Sequence, residues 1–230
     1  MMLFADTVGM DIVISETEAG EYAEFKRQKR VAEVCKLLTK VECDLTGCDE
    51  KDLPDKAKAC KNRGFGYVRV NPLQVGIAKQ AASPLPVICV TEELNSTLKT
   101  KVTALKEAIK AGADEIVVNL SNGKNARKEV RKLTRAARGR RVAFRIADTV
   151  LDEREGACLS GIPVVSDTDK ADYCKGIGCG TLTVETNGRS MLYEADRICT
   201  REFGRMADEL FEEANRTVSL TETVDEKAEE

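Results

Sequence analysis

The sequence predicts an α/β protein in which a parallel sheet is covered by helices. Three observations predict it. Short β-branched runs recur along the chain, each beginning roughly 20 to 30 residues after the last, the length of a strand–helix unit. Most of these runs are nearly continuously apolar, as strands buried on both faces must be. Between them, apolar residues return at helical spacing.

Taken in order, the N-terminal segment carries Leu3-Phe4-Ala5 and Met10-Asp11-Ile12-Val13-Ile14, whose β-branched content predicts one or two strands lying beside the first strand of the main sheet. Val31, Val34, Cys35 and Leu38 then share one face of a lead helix. The strand runs follow: Val41–Thr46, Tyr67–Val70, Pro86–Thr91, Glu115–Leu120 and Arg141–Ile146. Val102, Leu105 and Ile109 form a helical stripe that ends at Gly112, where a left-handed C-cap is wanted. Ala126, Val130, Leu133 and Ala137 form another, ending near Gly139. Gly156, Gly161 and Pro163 interrupt the helix expected after the fifth strand. Leu192, Cys199, Phe203, Met206 and Leu210 predict a long closing helix. The expected organisation is an N-terminal extension and lead helix over residues 1–40, an α/β domain over 41–216, and an acidic, disordered tail over 217–230.

Composition narrows the chemistry. Among 230 residues there is no histidine, which excludes Ser-His-Asp and Cys-His catalysis, histidine-bearing zinc sites and a histidine pH switch. There is no tryptophan, so indole stacking plays no part in recognition. Thirty-six basic against 39 acidic residues weigh against a dedicated nucleic-acid or membrane binder. Nine dispersed cysteines without a signal-peptide pattern, and no apolar run near membrane-spanning length, predict reduced thiols in the cytoplasm. No C-x2-C pair is present, so no metal is expected. Gly176-Ile177-Gly178-Cys179-Gly180 lacks the third glycine of a dinucleotide loop and leads into Thr181-Leu182-Thr183-Val184 rather than a helix. Cys179, among these glycines, is the candidate reactive thiol, against the commoner fate of a buried small hydrophobe. Nine basic residues and one acid, Glu129, lie between Lys124 and Arg141; without interleaved aromatics they predict a solvated outer helix face rather than a nucleic-acid patch.

Periodicity does not choose between an open sheet and a barrel, but four segments carry a resemblance. Asp44-Leu45-Thr46, Tyr67-Val68-Arg69-Val70-Asn71-Pro72, Ala108–Ile116 and Ala171-Asp172-Tyr173-Cys174-Lys175 follow one another in the order of the first, second, fourth and sixth strands of the deoxyribose-phosphate aldolase family, which they resemble. The resemblance implies a (β/α)8 barrel of the TIM type and a Schiff-base (class I) aldolase. Such an enzyme cleaves or condenses a small phosphorylated aldehyde and needs no cofactor. It implies Lys175 as the imine-forming nucleophile, whose amine must be freed of its proton by burial or a neighbouring cation. A homo-oligomer is also expected.

Departures from the family pattern are equally plain. Val117 stands where the family has a proton-moving aspartate, and Ala143 where it commonly has a lysine. Lys175-Gly176-Ile177-Gly178-Cys179 lacks the hydroxyls that follow the family's lysine, and no Lys-x-x-Gly-Gly or Gly-x-Ser-Ser is found beyond it. The expectation is therefore a degenerate or rearranged barrel, an arc of six strands without the last two. Its candidate catalytic residues are Lys175, Asp44 and, after the fifth strand, Asp148; its candidate substrate-binding residues are Asn71, Gly176, Gly178 and Gly180. Asn71 has a second reading as the initiator of the helix after Pro72. The alternative function is a catalytically inactive aldolase-fold protein that serves as a binding or interaction domain.

Overall fold

The computed structural model describes residues 2–5, 11–14, 16–91, 97–121, 125–146 and 156–216, with side chains from residue 20 onward. Two compact units emerge, residues 38–206 and residues 1–37 together with 207–230. In the smaller unit, β1 (Met2–Ala5) and β2 (Asp11–Ile14) pair antiparallel as a two-stranded sheet, and α1 (Glu16–Leu38) follows. Arg27 Nη1 donates to Asn215 Oδ1 at 3.0 Å, tying α1 to the end of α7 (Phe203–Asn215). The N-terminal strands thus pair with each other. They add nothing to the main sheet, contrary to the expectation from their β-branched content.

The larger unit is a closed barrel of eight parallel strands in the order β10-β3-β4-β5-β6-β7-β8-β9. The strands are β3 (Val41–Asp44), β4 (Tyr67–Val70), β5 (Val87–Thr91), β6 (Glu115–Asn119), β7 (Arg141–Arg145), β8 (Pro163–Asp167), β9 (Thr181–Glu185) and β10 (Arg197–Thr200). Helices α2 (Leu53–Asn62), α3 (Val75–Ala82), α4 (Leu98–Lys110), α5 (Ala126–Ala136) and α6 (Ala171–Gly176) lie between consecutive strands. Local signals set their ends. Thr97 Oγ1 accepts the Thr100 N–H at 3.3 Å at the start of α4, and Gly112 takes a φ of +98° just past its end.

This corrects the six-stranded arc. The sixth strand is Pro163–Asp167, and Ala171–Lys175, assigned to it by resemblance, is the helix that follows. The last two strands are present as β9 and β10. Cys199 lies in β10 and Leu192 in a single 3-10 turn, so the closing helix begins only at Phe203. Leu192 and Cys199 fell by coincidence at helical spacing with the apolar residues of α7, which hid the strand. Closure comes from β10 against β3, with Ile198 opposite Val41 and Cys199 opposite Glu42, which leaves no unpaired edge.

Register fixes which side chains face inward, because partners across a parallel ladder point the same way. One inner wall is apolar: Ile88, Val90, Val117, Ala143 and Val165, from β5 to β8, form a buried cluster with Tyr67 packed against it. The opposite wall, from β3, β4, β9 and β10, carries Glu42, Asp44, Arg69, Thr183, Glu185 and Arg197. Outward residues such as Val68, Cys89, Phe144, Leu182 and Ile198 are buried as well.

Candidate functional site

A continuous ladder of alternating charges crosses the barrel interior. At the N-terminal end of the strands, Arg141 Nε lies 3.0 Å from Glu115 Oε2, which also accepts from Arg197 Nη1 at 3.0 Å. Arg197 Nη1 reaches Glu42 Oε1 at 3.3 Å, and its guanidinium sits 4.1 Å from the centroid of the Tyr67 ring. Glu42 Oε2 accepts from Arg69 Nε at 3.1 Å and Nη2 at 2.5 Å, while Thr183 Oγ1 donates to Oε1 at 3.1 Å. Arg69 Nη1 donates to Glu185 Oε1, which accepts from Arg145 Nη2 as well. Glu42 and Arg69 are each 1% exposed. Burial opposes the Arg69 charge, but Cys199, Glu42 and Glu185 around it raise its pKa above the ordinary arginine value. Burial likewise opposes the Arg197 charge, and Glu115 and Glu42 overcome it.

The upper rungs open at the C-terminal ends of the strands, the face where barrels of this kind place their chemistry. Asp44, at the end of β3, accepts from Thr46 N at 3.0 Å and Thr46 Oγ1 at 2.7 Å, and from Arg201 Nε at 3.1 Å. Burial alone would raise its pKa, but these hydrogen bonds and the Arg69 charge hold the carboxyl below its usual value. Asn71, just after β4, donates from Nδ2 to the Thr46 carbonyl at 2.6 Å, and its own N–H is accepted by Gln74 Oε1 at 3.2 Å. It precedes the 3-10 turn Pro72–Gln74 and fastens the loop after β4 to the loop after β3. Lys170, three residues past β8, donates to the Ile146 carbonyl at 3.0 Å. Arg145 keeps an Nε–H without a partner among the described residues.

Most of the other expected site residues stand elsewhere. Lys175 lies in the last turn of α6, a helix that runs back from the C-terminal end of β8 to the N-terminal end of β9. Its side chain is 40% exposed, with Nζ 3.2 Å from Glu194 Oε2 and 3.7 Å from Asp172 Oδ1. The structure therefore places Lys175 outside the barrel and away from Asp44. Gly176, Gly178 and Gly180 surround the turn between α6 and β9, at the N-terminal face. Gly178 has a φ of +67° and its carbonyl accepts the Gly161 N–H at 2.9 Å; the Gly180 N–H is accepted by the Ile162 carbonyl at 2.9 Å. A Cβ on Gly180 would lie 2.4 Å from the Gly161 carbonyl oxygen, so close backbone approach explains this glycine. Asp148 lies outside the described residues. Cys179 is half-buried, and burial, followed by Cys174 and Asp196, pushes its thiol up to about 11, opposite to the lowered value expected of a reactive thiol.

The residues that sequence reasoning missed are Glu42, Arg69, Glu115, Arg145, Glu185 and Arg197. Their signal was available: acids and arginines sit at alternate positions of otherwise apolar strands, as in Val-Glu-Cys-Asp and Arg-Val-Ala-Phe-Arg, which puts them all on one face of the sheet. Val117 and Ala143 belong to the apolar inner wall, so these two inward positions hold no proton-transferring group.

Comparison with solved structures matches this architecture. An aldolase named QR15 superposes with a TM-score of 0.65 at 18% identity, over 76% of this chain and 96% of its own. The deoxyribose phosphate aldolase from Aeropyrum pernix, described as having a unique tetrameric structure, gives 0.64 at 17% identity, over 85% of this chain and 98% of its own. The fold is that of the deoxyribose-phosphate aldolases. No protein-family model and no curated protein matches the sequence. Within the shared barrel, the ionic ladder runs from the exposed Arg141 at the N-terminal rim through Glu115, Arg197, Glu42, Arg69 and Glu185 to Arg145. Among the described residues no helix is long and apolar enough to cross a membrane, and no disulfide joins any of the nine cysteines.

Proposed function

We propose that this chain is an aldolase-fold protein that binds a small phosphorylated aldehyde or sugar at the C-terminal mouth of its barrel, without imine catalysis from a strand lysine. One observation carries the reading: none of the eight barrel strands contains a lysine. A Schiff base needs an amine that reaches the reacting carbonyl and is relieved of its proton by its surroundings. The inward positions of β8 are filled by Pro163, Val165 and Asp167, on the strand where the resemblance called for that amine. Arginine is a poor substitute as a nucleophile, since its guanidinium stays protonated, but it is well suited to holding a phosphate. Arg145 with its unused Nε–H, Arg201 and Lys170 supply cations at the mouth; Asp44 and Glu185 supply acceptors for hydroxyls.

A second reading keeps the enzyme. Lys170, rather than Lys175, has its amine at the C-terminal face, held between the ends of β7 and β8 by the Ile146 carbonyl. A class I aldolase built on it would be a lyase acting on the same class of aldehyde. The nine unlinked cysteines favour a reducing, cytoplasmic setting for either reading, and a homo-oligomer is the assembly we propose for both.

One experiment separates them. The full-length protein is incubated with deoxyribose 5-phosphate, glyceraldehyde 3-phosphate or acetaldehyde and borohydride, then mapped by peptide mass, while calorimetry follows binding of the two phosphorylated compounds. Saturable binding that falls at least tenfold in Arg145→Gln, with no saturable lysine adduct, is the expected result. An adduct confined to Lys170 and lost in Lys170→Arg establishes the enzyme instead. An adduct at Lys175, or no binding at all, removes the proposal.

A further inference from the structure

Outside the barrel, α5 presents a cationic face that no carboxylate among the described residues pairs. Arg127, Lys128, Arg131, Lys132, Arg135 and Arg138 are all exposed along α5 and the turn after it. Elsewhere on the surface, cations find carboxylates: Arg27 with Glu24, Lys79 with Asp114, Lys175 with Glu194, Arg201 with Asp44. None of the six has such a partner among the described residues. The single acid of α5, Glu129, is 4% exposed and turned inward, where it binds Lys101 Nζ at 3.1 Å and Ser121 Oγ at 2.8 Å. The neighbouring α4 carries the exposed Lys106 and Lys110 together with the exposed acid Glu107, so the cationic face is that of α5 itself.

This arrangement works against the helix that bears it. Arg127, Arg131 and Arg135 are spaced at i, i+4, i+8, and Lys128 and Lys132 at i, i+4. Like-charged pairs at this spacing destabilise a helix. Solubility does not require it, because the whole chain carries a net charge of only −3 and its cations are concentrated here. The rows advance in steps of about 6 Å along the helix axis, a regular array suited to a regularly charged polymer.

The chemistry of the face selects among polyanions. The exposed residues of α5 are cations and Thr134, with no aromatic or aliphatic side chain among them. Ala126, Val130 and Leu133 are buried, so the helix has nothing to insert into a bilayer. Without aromatics it offers no stacking platform for unpaired bases, and without an apolar anchor it lacks the hot spot of a protein interface. Arginine forks suit phosphate oxygens. We propose that the outer face of α5 docks a nucleic-acid duplex through the phosphate backbone, without reading bases. The surface lies on the outer wall between β6 and β7, so the proposal is independent of what the barrel mouth binds.

The test is fluorescence anisotropy of the full-length protein with a labelled random-sequence DNA duplex. With four or more phosphates engaged, affinity should fall roughly 100-fold between about 50 and 200 mM salt. The combined change Arg131→Glu, Lys132→Glu, Arg135→Glu should weaken binding at least tenfold at low salt. The neutral set Arg131→Gln, Lys132→Gln, Arg135→Gln should weaken it by a smaller factor, and circular dichroism should show both variants folded. A charge-reversed protein that does not fold leaves the neutral set to decide. A single strand of equal length should bind more weakly than the duplex. The proposal is overturned if no duplex binding occurs at low salt, if binding survives the neutral and reversed sets unchanged, or if the single strand binds better. It is also overturned if phosphatidylserine vesicles are bound through these residues while the duplex is not.

Discussion

Glu42 holds Arg69 by a fork onto a single carboxylate oxygen, Nε at 3.1 Å and Nη2 at 2.5 Å, with both residues buried inside the barrel. Glu42 is also the hinge of the charge ladder, because its other oxygen accepts from Thr183 and Arg197. Taking an ion pair out of water costs several kcal/mol per ion, and removal of one partner leaves that cost uncompensated. Glu42→Gln should therefore lower the stability to urea unfolding by about 3–5 kcal/mol.

The paired change Glu42→Leu with Arg69→Met gives the sharper test. Arg197 would keep Glu115, and Glu185 would keep Arg145, so no remaining rung is orphaned. We expect the double variant to regain at least half of what Glu42→Gln loses. A double variant no more stable than Glu42→Gln would mean that the ladder acts as one unit rather than through separate pairs.

Acid should weaken the upper end of the site through Asp44. Thr46, Arg201 and Arg69 hold the Asp44 pKa below its ordinary value despite partial burial. A depressed folded-state pKa stabilises the protein above the unfolded value, about 3.9, and that contribution is lost as pH falls through the folded value. The urea midpoints of the wild type and Asp44→Asn should therefore differ by a constant amount above about pH 5 and converge at lower pH. A difference that persists undiminished as far as the fold survives would show that Asp44 is not the group concerned.

How much of this was legible beforehand differs between scaffold and site. Strands β3 to β7 and the C-cap at Gly112 could be read from the sequence, because β-branched runs and helical stripes report elements of ordinary length. Strands β8 to β10 are as long as β3 to β7 but were missed. β8 opens on Pro163 just after Gly161, β9 follows Gly180, and β10 lies between a 3-10 turn and the last helix, so each read as turn or helix. The site suffered for a related reason. A five-residue likeness carried Lys175 into a strand, while Glu42, Arg69 and Glu185 drew no notice; isolated charges in a strand look like surface residues until the closed sheet shows them sharing one interior.

The cysteines report burial on both faces of the sheet. Burial pushes the Cys89 thiol up to about 12 and raises Cys199 well above the ordinary thiol value, with Arg69 opposing and Glu42, Asp44 and Glu185 adding to the effect. Cys35 is exposed on α1. A thiol reagent at about pH 8 attacks only thiolate, so Cys35 should react first and Cys199 only on global unfolding. Mass mapping of timed samples checks the order. Early labelling of Cys199 would mean that the β10–β3 seam opens in the native state.

Gly180 tests the N-terminal face separately from the mouth. Its missing Cβ lets the strand pass the Gly161 carbonyl, and an added methyl would stand 2.4 Å from that oxygen, with backbone rather than a flexible side chain in the way. Gly180→Ala must shift the 160–162 segment or β9, and should cost about 2–3 kcal/mol in a thermal or urea melt. Because the strain lies at the end of the barrel opposite Asp44 and Arg145, ligand affinity at the mouth should change by less than twofold under conditions where the variant is folded. A loss of affinity larger than the loss of folded protein would instead place these glycines in the binding site, as the sequence pattern first suggested.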